Sequence, residues 1–229
     1  MRSAKFLFAG LLLPRLSLPI CDGRVAICQP MNCQPHPAFE KLRKQIAESS
    51  QLLRPWQGVA YRVTTLDYPR PKSILLGQGS FLHGGRWNAI DSFRAVYGST
   101  VDTVAVAESR ATADYAQIPL PFATPRLLVA IELALQSVLD LTRASVRERL
   151  GITSDELGAE DWRKVQEEGR ESFTQAIGRA VFSNEGEGLL APSARVPEGL
   201  NVVYFPENHG GASRVRVLES EKLDRVRPA

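Results

Sequence analysis

The segment after residue 100 shows apolar positions at the three- and four-residue steps of an α-helix. Thr100 is a residue type that caps helices, so we predict a helix from Thr100 to near Gln117. One face of this helix consists of Val101, Val104, Ala105, Glu108, Ala111, Thr112 and Tyr115. A carboxylate among such neighbours is rarely buried without a partner, because it loses its hydration. We therefore expect Glu108 to have a cationic partner, to line a pocket, or both.

Apolar runs elsewhere in the chain predict strands. Residues 58–65 alternate apolar and polar side chains, as in a half-buried strand, and residues 127–131 form a continuous apolar run. The predicted strands are residues 58–65, 95–98, 126–133, 138–141, 201–206 and 214–218. Because they come from distant parts of the chain and are interspersed with helices, we predict a mixed domain of the α+β class.

Three further helices are predicted from apolar spacing and end signals. Residues 39–53 suit a short surface helix that ends before Pro55. Residues 144–150 suit a second helix, with Thr142 as its cap and Gly151 just past its end. The third and longest helix covers residues 162–181, with Gly169 weakening its middle.

The stretch between residues 66 and 95 is rich in proline and glycine and predicts a long loop. A loop of this length in a compact domain is typical of a binding element. We divide the chain into an N-terminal extension, residues 1–55, partly disordered with one short helix, and a main domain, residues 56–229.

The charge of the chain is unevenly distributed, although its formal total is only +3. Residues 1–55 carry eight Lys and Arg against three Asp and Glu, whereas residues 56–229 carry twenty against twenty-two. The main domain therefore lacks the basic excess typical of nucleic-acid-binding proteins, and we expect no direct nucleic-acid partner.

The three cysteines, Cys21, Cys28 and Cys33, all lie in the N-terminal extension. They form no CxxC pair, and their spacing with His36 fits no common zinc pattern, so we predict no metal site. Their usage fits a reducing compartment, and we expect a cytoplasmic protein.

The start of the chain shares some features with a signal peptide. An apolar run over residues 6–13 follows Arg2 and Lys5, but Pro14 interrupts it and no convincing cleavage site follows. The run is too short to span a bilayer, and no membrane association is expected. We favour a translation start further downstream, or a disordered tail, over secretion.

A set of polar residues at fixed spacing is the main functional signal. Arg86 precedes Tyr97 by eleven residues, and Tyr97 precedes Glu108 by eleven more. Together with flanking motifs this series resembles the RES domain, named for its Arg, Glu and Ser, over about residues 56–220. The motifs are Tyr61-Arg62, Gly85-Arg86-Trp87-Asn88, Tyr97, Ala107-Glu108 and Pro192-Ser193-Ala194-Arg195.

The resemblance implies an ADP-ribosyltransferase-like mixed fold and an NAD⁺-cleaving toxin of a toxin–antitoxin pair. Studied members degrade NAD⁺ by hydrolysis or phosphorolysis, and an Xre-like antitoxin covers their active site. NAD⁺ is then a substrate, inorganic phosphate a potential co-substrate, and no cofactor is expected. The matching active-site positions are Arg62, Arg86, Tyr97, Glu108 and Ser193. The N-terminal extension, the loop between Arg62 and Arg86 and the segment around residues 151–170 are longer than in short members.

Each of these residue types suits the cleavage of NAD⁺. Glu108 can stabilise a positively charged transition state and hold a ribose hydroxyl. Arg86, and after it Arg62, can bind the pyrophosphate through planar guanidinium groups. Tyr97 can stack on the nicotinamide or ribose. Ser193 offers a hydroxyl to the substrate, and Asn88 is a further substrate-binding candidate.

Structural roles are the alternative for every one of these residues. Arg86 and Glu108 can form an ordinary ion pair, Tyr97 can belong to the core, and Ser193 can be a turn residue. Gly84 and Gly85 favour a functional role for Arg86, because glycine lets the backbone approach a ligand closely.

Two other functions remain open at the level of sequence. An ADP-ribosyltransferase that modifies a macromolecule would use the same substrate and the same residues. A non-catalytic module that binds NAD or ADP-ribose is the other, although it would gain nothing from an added negative charge at Glu108. A serine hydrolase and a Rossmann domain are poor fits, because both characteristic glycine motifs are missing.

Overall fold

Helices and strands are interspersed along the chain, as the apolar pattern predicts. The computed structural model describes residues 33–49, 51–66, 69–115 and 126–225. The predictions for residues 1–32, including Cys21 and Cys28, and for the helix end near Gln117 lie outside the described residues. The helices are α1 (Phe39–Ala47), α2 (Pro71–Leu76), α3 (Gln78–His83), α4 (Asp102–Tyr115), α5 (Ala144–Leu150), α6 (Glu156–Ala159), α7 (Trp162–Glu167) and α8 (Phe173–Ser183). The strands are β1 (Leu53–Thr65), β2 (Val96–Ser99), β3 (Arg126–Asp140), β4 (Gly188–Pro192), β5 (Leu200–Tyr204) and β6 (Arg214–Val217).

The six strands found in the described residues form one sheet with the order β1-β2-β5-β4-β3-β6. β1 also pairs with β3 along most of its length, so β1, β2, β5, β4 and β3 make a closed circuit of pairings. The pairing between β3 and β4 is parallel, and the others are antiparallel. This confirms the mixed α+β class. The boundary at residue 56 stays a prediction, although β1 starts at Leu53 and runs across it.

Two groups of buried apolar side chains stabilise this arrangement. The larger one joins α1, α5 and α8 to one face of the sheet and includes Leu42, Ile177 and Phe205. The smaller one includes Ile131 and Val202. Burial of each large aliphatic side chain contributes about 1.5–3 kcal/mol. Within the part of the chain that the structure describes, no helix has the length and apolar character needed to cross a membrane.

The predicted strands over residues 126–133 and 138–141 are wrong as separate elements, because β3 covers both without a break. Residues 134–137 include the polar Gln136 and Ser137, which masked the continuity in the sequence. Glu187 provides the hydrogen-bond acceptor for this stretch, because its carboxylate accepts the backbone N–H groups of Gln136 at 2.5 Å and Ser137 at 3.1 Å. These amides lie between β6 and β4, where the edge of β3 has no strand partner.

The single helix predicted over residues 162–181 is also wrong, because α7 and α8 are separate. Gly169 lies between them at a φ of 72°, in the left-handed region that glycine adopts without strain. Ser172 then starts α8 with a capping box, in which its hydroxyl accepts from the Gln175 N–H and the Gln175 side chain accepts from the Ser172 N–H.

Three smaller boundary predictions need correction. α1 ends at Ala47, and Pro55 lies within β1 at an irregularity of the pairing, a position that tolerates proline. Residues 66–95 are not one loop, because α2 and α3 lie within them. Arg143 occupies the N-cap of α5 in place of Thr142, whereas the predicted span of α5 and its terminal Gly151 are confirmed.

The N-terminus of α4 also differs from the prediction. Thr100 bonds the Leu200 carbonyl through its hydroxyl at 3.5 Å rather than capping α4. On the face predicted for burial, Val104 and Ala105 are buried, whereas Val101 and Tyr115 are exposed.

Candidate active site

A cavity lies between β1 and β2 on one side and α3, α4 and α7 on the other. Its volume is about 550 Å³, within the range of about 300–1,000 Å³ that is typical of small-molecule sites. Arg62, Arg86, Tyr97 and Glu108 all line it. The fold therefore brings four of the sequence candidates to one place, and Glu108 lines a pocket as its position predicted.

Glu108 projects from α4 and is held from two other segments of the chain. Its Oε1 accepts a hydrogen bond from the Ser193 hydroxyl at 2.6 Å and one from Asn201 Nδ2 at 2.8 Å. Asn201 is itself oriented by Ser99, whose hydroxyl donates to Asn201 Oδ1 over 2.7 Å. Ser99 and Asn201 are opposite each other in the β2–β5 register, so the sheet itself determines this part of the site.

Ser193 lies at the start of the turn that follows β4, and its hydroxyl has several bonds. It donates to Glu108 and accepts the backbone N–H groups of Arg195 and Val196, each at 3.1 Å. This hydroxyl is therefore engaged with the protein, and Ser193 does not itself line the cavity. Its observed contact is with the carboxylate of Glu108, whereas the sequence suggested a contact with substrate.

Two arginines line the cavity from fixed positions. Arg86 donates from Nη1 to the carbonyl of Leu157 in α6 at 2.9 Å, and Arg62 donates from Nη1 to the carbonyl of Tyr97 at 2.8 Å. Within the described structure the buried Nε of Arg62 has no hydrogen-bond partner. Burial lowers the pKa of Arg62, a sign that its charge lies in a poorly hydrated place where an anion would be favourable.

The electrostatic surroundings of Arg86 combine opposing effects. Burial lowers its pKa most, Glu108 raises it, and the positive charges of Arg195 and Arg163 lower it again. Glu108 thus acts on Arg86 through the cavity, while both of its side-chain bonds described above go to neutral partners. The interaction with Arg86 is therefore only one of several contacts of the Glu108 carboxylate.

Tyr97 is anchored through its hydroxyl, with its side chain at the cavity wall. The hydroxyl accepts the backbone N–H of Trp87 at 3.0 Å and donates to Asn88 Oδ1 at 2.7 Å. Burial raises the pKa of this hydroxyl, so the side chain stays neutral. Gly85 packs directly against it, because a Cβ there would lie 2.3 Å from the Tyr97 hydroxyl oxygen.

This contact gives a different reason for the glycine pair than the sequence suggested. Gly84 and Gly85 were expected to let the backbone approach a ligand. A Cβ at Gly84 would instead meet the Gln166 side chain at 2.1 Å, and a Cβ at Gly85 would meet Tyr97. The two glycines are therefore required for packing of the protein against itself behind Arg86.

Asn88 lies behind the cavity wall and is fully buried. Its Nδ2 donates to the carbonyls of Ser80 at 2.8 Å and Phe93 at 3.1 Å, and its Oδ1 accepts from Tyr97. Asn88 therefore holds the loop and Tyr97 in place, and the cavity residues do not include it. The structure gives no contact through which it would meet a substrate.

The opposite rim of the cavity contains residues that sequence reasoning missed. The Arg163 guanidinium stacks on two aromatic rings. Its Cζ atom lies 4.4 Å from the ring centre of Trp162 and 4.5 Å from that of Tyr115. In the sequence Trp162 is only the first residue of the helix predicted over residues 162–181, and Arg163 has no predicted role. Arg195 belongs to a quoted motif but was given no role, and Asn201 was interpreted only as the start of a strand.

Comparison with known proteins is consistent with this geometry. A model of the RES domain matches residues 59–226. Proteins named NAD(+) phosphorylase MbcT, from Mycobacterium bovis and Mycobacterium tuberculosis, are 28% identical over 145 residues, and the match covers 61% of this chain and 69% of the relative.

A solved structure shares the fold. It belongs to the crystal structure of the M. tuberculosis MbcT-MbcA toxin-antitoxin complex, and the match has a TM-score of 0.59 at 24% identity. The aligned region covers 83% of this chain and 98% of the solved chain. The two chains therefore share their fold over most of this chain.

Proposed function

The chain belongs to the RES domain family, and from this premise we propose that it cleaves NAD⁺ by phosphorolysis and is the toxin of a toxin–antitoxin pair. The observation that carries the proposal is Glu108, held by Ser193 and Asn201 at the wall of a cavity that also contains Arg62 and Arg86. The relatives from Mycobacterium are named NAD(+) phosphorylases, and this supports the choice of phosphate as the acceptor.

The bond to be broken joins C1′ of ribose to the nitrogen of nicotinamide. That nitrogen is already cationic, so the electron pair of the bond neutralises it and the leaving group needs no acid. The ribose develops positive charge in the transition state, as in glycoside cleavage. A carboxylate fixed in advance stabilises that charge without reorganisation, and this is the role that we propose for Glu108.

The other cavity residues then bind and orient the substrate. Arg62 and Arg86 bind the pyrophosphate, for which the planar guanidinium is well suited. The ring of Tyr97 supports the nicotinamide ribose at the wall. Ser193 and Asn201 orient Glu108, and Asn88 orients Tyr97, so these three act as positioning residues.

The finer assignments of fold and partner are part of the same proposal. We propose that the domain is of the ADP-ribosyltransferase-like kind and that an Xre-like antitoxin covers the cavity. The related solved structure is titled a toxin-antitoxin complex, which supports a protein partner of this type. NAD⁺ as the substrate places the proposed reaction in the cytoplasm.

The test is NAD⁺ consumption by purified protein, with and without inorganic phosphate, beside the variant Glu108→Gln. The variant keeps the shape and the hydrogen-bonding capacity of the side chain but removes its charge. We expect a loss of at least about a hundredfold in kcat, the scale typical of removing one electrostatic group from an active site. Glu148→Gln, on the exposed side of α5, is the matched control and should behave as the wild type.

Three outcomes would redirect the assignment. Wild-type turnover by Glu108→Gln would remove Glu108 from the mechanism. Release of nicotinamide together with labelled ADP-ribose on a macromolecule would favour the transferase alternative, and nucleotide binding without turnover would favour the binding module. In growing bacteria, expression of the wild type should arrest growth and expression of Glu108→Gln should not.

A further inference from the structure

The cavity carries more positive charge than a bound dinucleotide requires. Among the described residues, its lining contains the five arginines Arg62, Arg86, Arg126, Arg163 and Arg195, against the two carboxylates of Glu108 and Glu167. With histidine neutral, the lining is more positive than negative by three charges. NAD⁺ has two negative phosphates and one positive nicotinamide, so it offsets only one of the three.

Three of the five arginines already have acceptors within the protein. Arg62 donates to the Tyr97 carbonyl and Arg86 to the Leu157 carbonyl. Arg126 donates from Nη1 to the Ser109 hydroxyl at 2.8 Å. These bonds fix the three guanidinium groups and use part of their donor capacity.

Arg163 and Arg195 differ from the other three. In the part of the chain that the structure describes, neither guanidinium has a hydrogen bond or an ion pair. Stacking of Arg163 between Trp162 and Tyr115 fixes the plane of its guanidinium but leaves the N–H groups at the edge of that plane free to donate. Arg195 is exposed at the rim, three residues after the end of β4.

The two side chains come close enough to affect the same partners. Burial is the main cause that lowers the pKa of Arg86 and of Arg163. Asp161 raises the pKa of Arg163 in part, whereas Arg195 lowers both pKa values and Glu108 raises both. Gathering like charges around one space is unfavourable unless an anion occupies it. Both side chains line the cavity that Glu108 also lines, and in the proposed function Glu108 marks the place where the ribose bond is broken.

We infer that Arg163 and Arg195 form the subsite for the attacking inorganic phosphate, separate from the arginines that bind the pyrophosphate. This inference rests on the proposed function. A hydrogen phosphate dianion offsets the two positive charges that NAD⁺ leaves, and planar guanidinium groups match its oxygens. Arg163 belongs to α7 and Arg195 follows β4, so two segments that are distant in the sequence supply the acceptor site.

The step balances without a general base. One phosphate oxygen attacks C1′ as the bond to nicotinamide breaks, and the electron pair of that bond passes to the nicotinamide nitrogen. Phosphate keeps its own proton, and the products are neutral nicotinamide and ADP-ribose carrying a phosphate on C1. Attack by water would require removal of a proton. A phosphate dianion that the two arginines fix beside C1′ therefore favours phosphorolysis over hydrolysis.

The subsite is tested with Arg163→Gln, Arg195→Gln and the exposed, matched control Arg149→Gln. At saturating NAD⁺ we expect the KM for inorganic phosphate to rise at least tenfold in the first two variants, with the KM for NAD⁺ changed less than threefold. Arg163→Lys keeps the charge and the aromatic contacts and should lie between the wild type and Arg163→Gln. An unchanged KM for phosphate, or an equal rise in both KM values, would overturn the assignment.

A binding measurement separates this inference from the proposed function. Inorganic phosphate, compared with chloride at equal ionic strength, should raise the Tm of the wild type and of Arg149→Gln, and should raise it much less in the two cavity variants. This holds even if the wild type consumes no NAD⁺, an outcome that would defeat only the proposed function. No phosphate shift in the wild type would overturn the subsite. Another outcome is that the wild type prefers NADP⁺ to NAD⁺ and loses this preference in both variants while phosphate binding stays intact. That result would overturn the phosphate subsite, because the two arginines would then bind a ribose 2′-phosphate.

Discussion

Ser193 donates a hydrogen bond of 2.6 Å from its hydroxyl to Oε1 of Glu108, across 85 positions of the sequence. The same hydroxyl accepts two backbone N–H groups of its own turn, so it can donate only to the carboxylate. Asn201 donates to the same Oε1 from β5. The orientation of Glu108 is therefore determined by two segments that lie far from α4 in the sequence.

The first prediction concerns the variant Ser193→Ala. Loss of the hydroxyl removes one hydrogen-bond donor to Glu108, and a hydrogen bond to a charged group contributes about 1.5–3 kcal/mol. We expect kcat to fall about tenfold or more with the KM for NAD⁺ nearly unchanged, and Ser193→Thr to recover much of the loss. Steady-state kinetics on folded protein measures this, with the exposed Ser145→Ala as the control. A raised KM at constant kcat would instead mean that Ser193 contacts the substrate, as the sequence suggested.

Tyr97→Phe separates the role of the ring from that of the hydroxyl. The substitution leaves the Trp87 N–H and Asn88 Oδ1 without their partner, and an unsatisfied buried polar group costs about 1–3 kcal/mol. We expect the free energy of unfolding to fall by about that amount, whereas kcat/KM of the folded protein stays within about threefold, because the ring is retained. Urea denaturation and kinetics at low temperature measure the two effects. A large loss of kcat at full stability would assign the hydroxyl to the chemistry.

The third prediction concerns a buried ion pair that attaches the N-terminal segment to α8. Arg179 and Glu171 lie 2.6 Å apart with side chains 5% and 2% exposed. Glu171 also accepts the His36 N–H, and Arg179 lies 3.3 Å from the Phe39 ring centre. Removing one member leaves the other as a buried, unpaired charge, so Glu171→Gln should lower the free energy of unfolding by about 3–5 kcal/mol.

An exposed ion pair provides the control for this measurement. Arg216 and Glu132 lie 2.9 Å apart with side chains 69% and 45% exposed. Arg216→Gln should change the free energy of unfolding by less than about 1 kcal/mol. If urea denaturation gave the same small effect for both variants, the interior around Arg179 would have to admit water.

The sequence predicted the parts of the molecule that depend on local pattern. The spans of β2, α5, β5 and β6 were predicted within one or two residues, because their apolar periods and end residues are local signals. The convergence of Arg62, Arg86, Tyr97 and Glu108 was also anticipated, though through the family resemblance. Composition alone would not have placed them together.

The errors have a common physical origin in contacts between distant residues. β3 was divided in two because the partner of its polar amides, Glu187, is about fifty residues further along the chain. The contacts of Asn88 with Ser80 and Phe93 likewise exist only in the fold, and they favour the positioning role proposed above over the predicted contact with substrate. Asn201 was missed for a related reason, because only the β2–β5 register brings it to Ser99 and Glu108.

The last prediction concerns acid stability and the buried carboxylate of Glu187. Burial by itself raises the pKa of Glu187. Hydrogen bonding by the Ser213 side chain and by the backbone N–H groups of Gly210, Gln136 and Ser137 lowers the pKa by more than burial raises it, so the net pKa lies below the ordinary value of 4.5. A folded-state pKa below that of the unfolded chain means that unfolding takes up a proton in acid. The stabilisation is therefore complete well above pH 4.5 and is lost progressively as the pH falls below 4.5 towards the folded-state pKa.

The variant Glu187→Gln should lack this part of the acid dependence. Its side chain keeps one acceptor oxygen but presents an NH₂ group to backbone donors, so we expect a lower free energy of unfolding at pH 7. The difference from the wild type should shrink as the pH is lowered from 6 to 3, because only the wild type has a charge to lose at this position. Urea denaturation at several pH values measures the difference, and Glu148→Gln on the exposed face of α5 is the control. A difference that is constant over this pH range would mean that folding does not lower the pKa of Glu187, and a difference that grows as the pH falls would mean that the carboxyl is protonated in the fold.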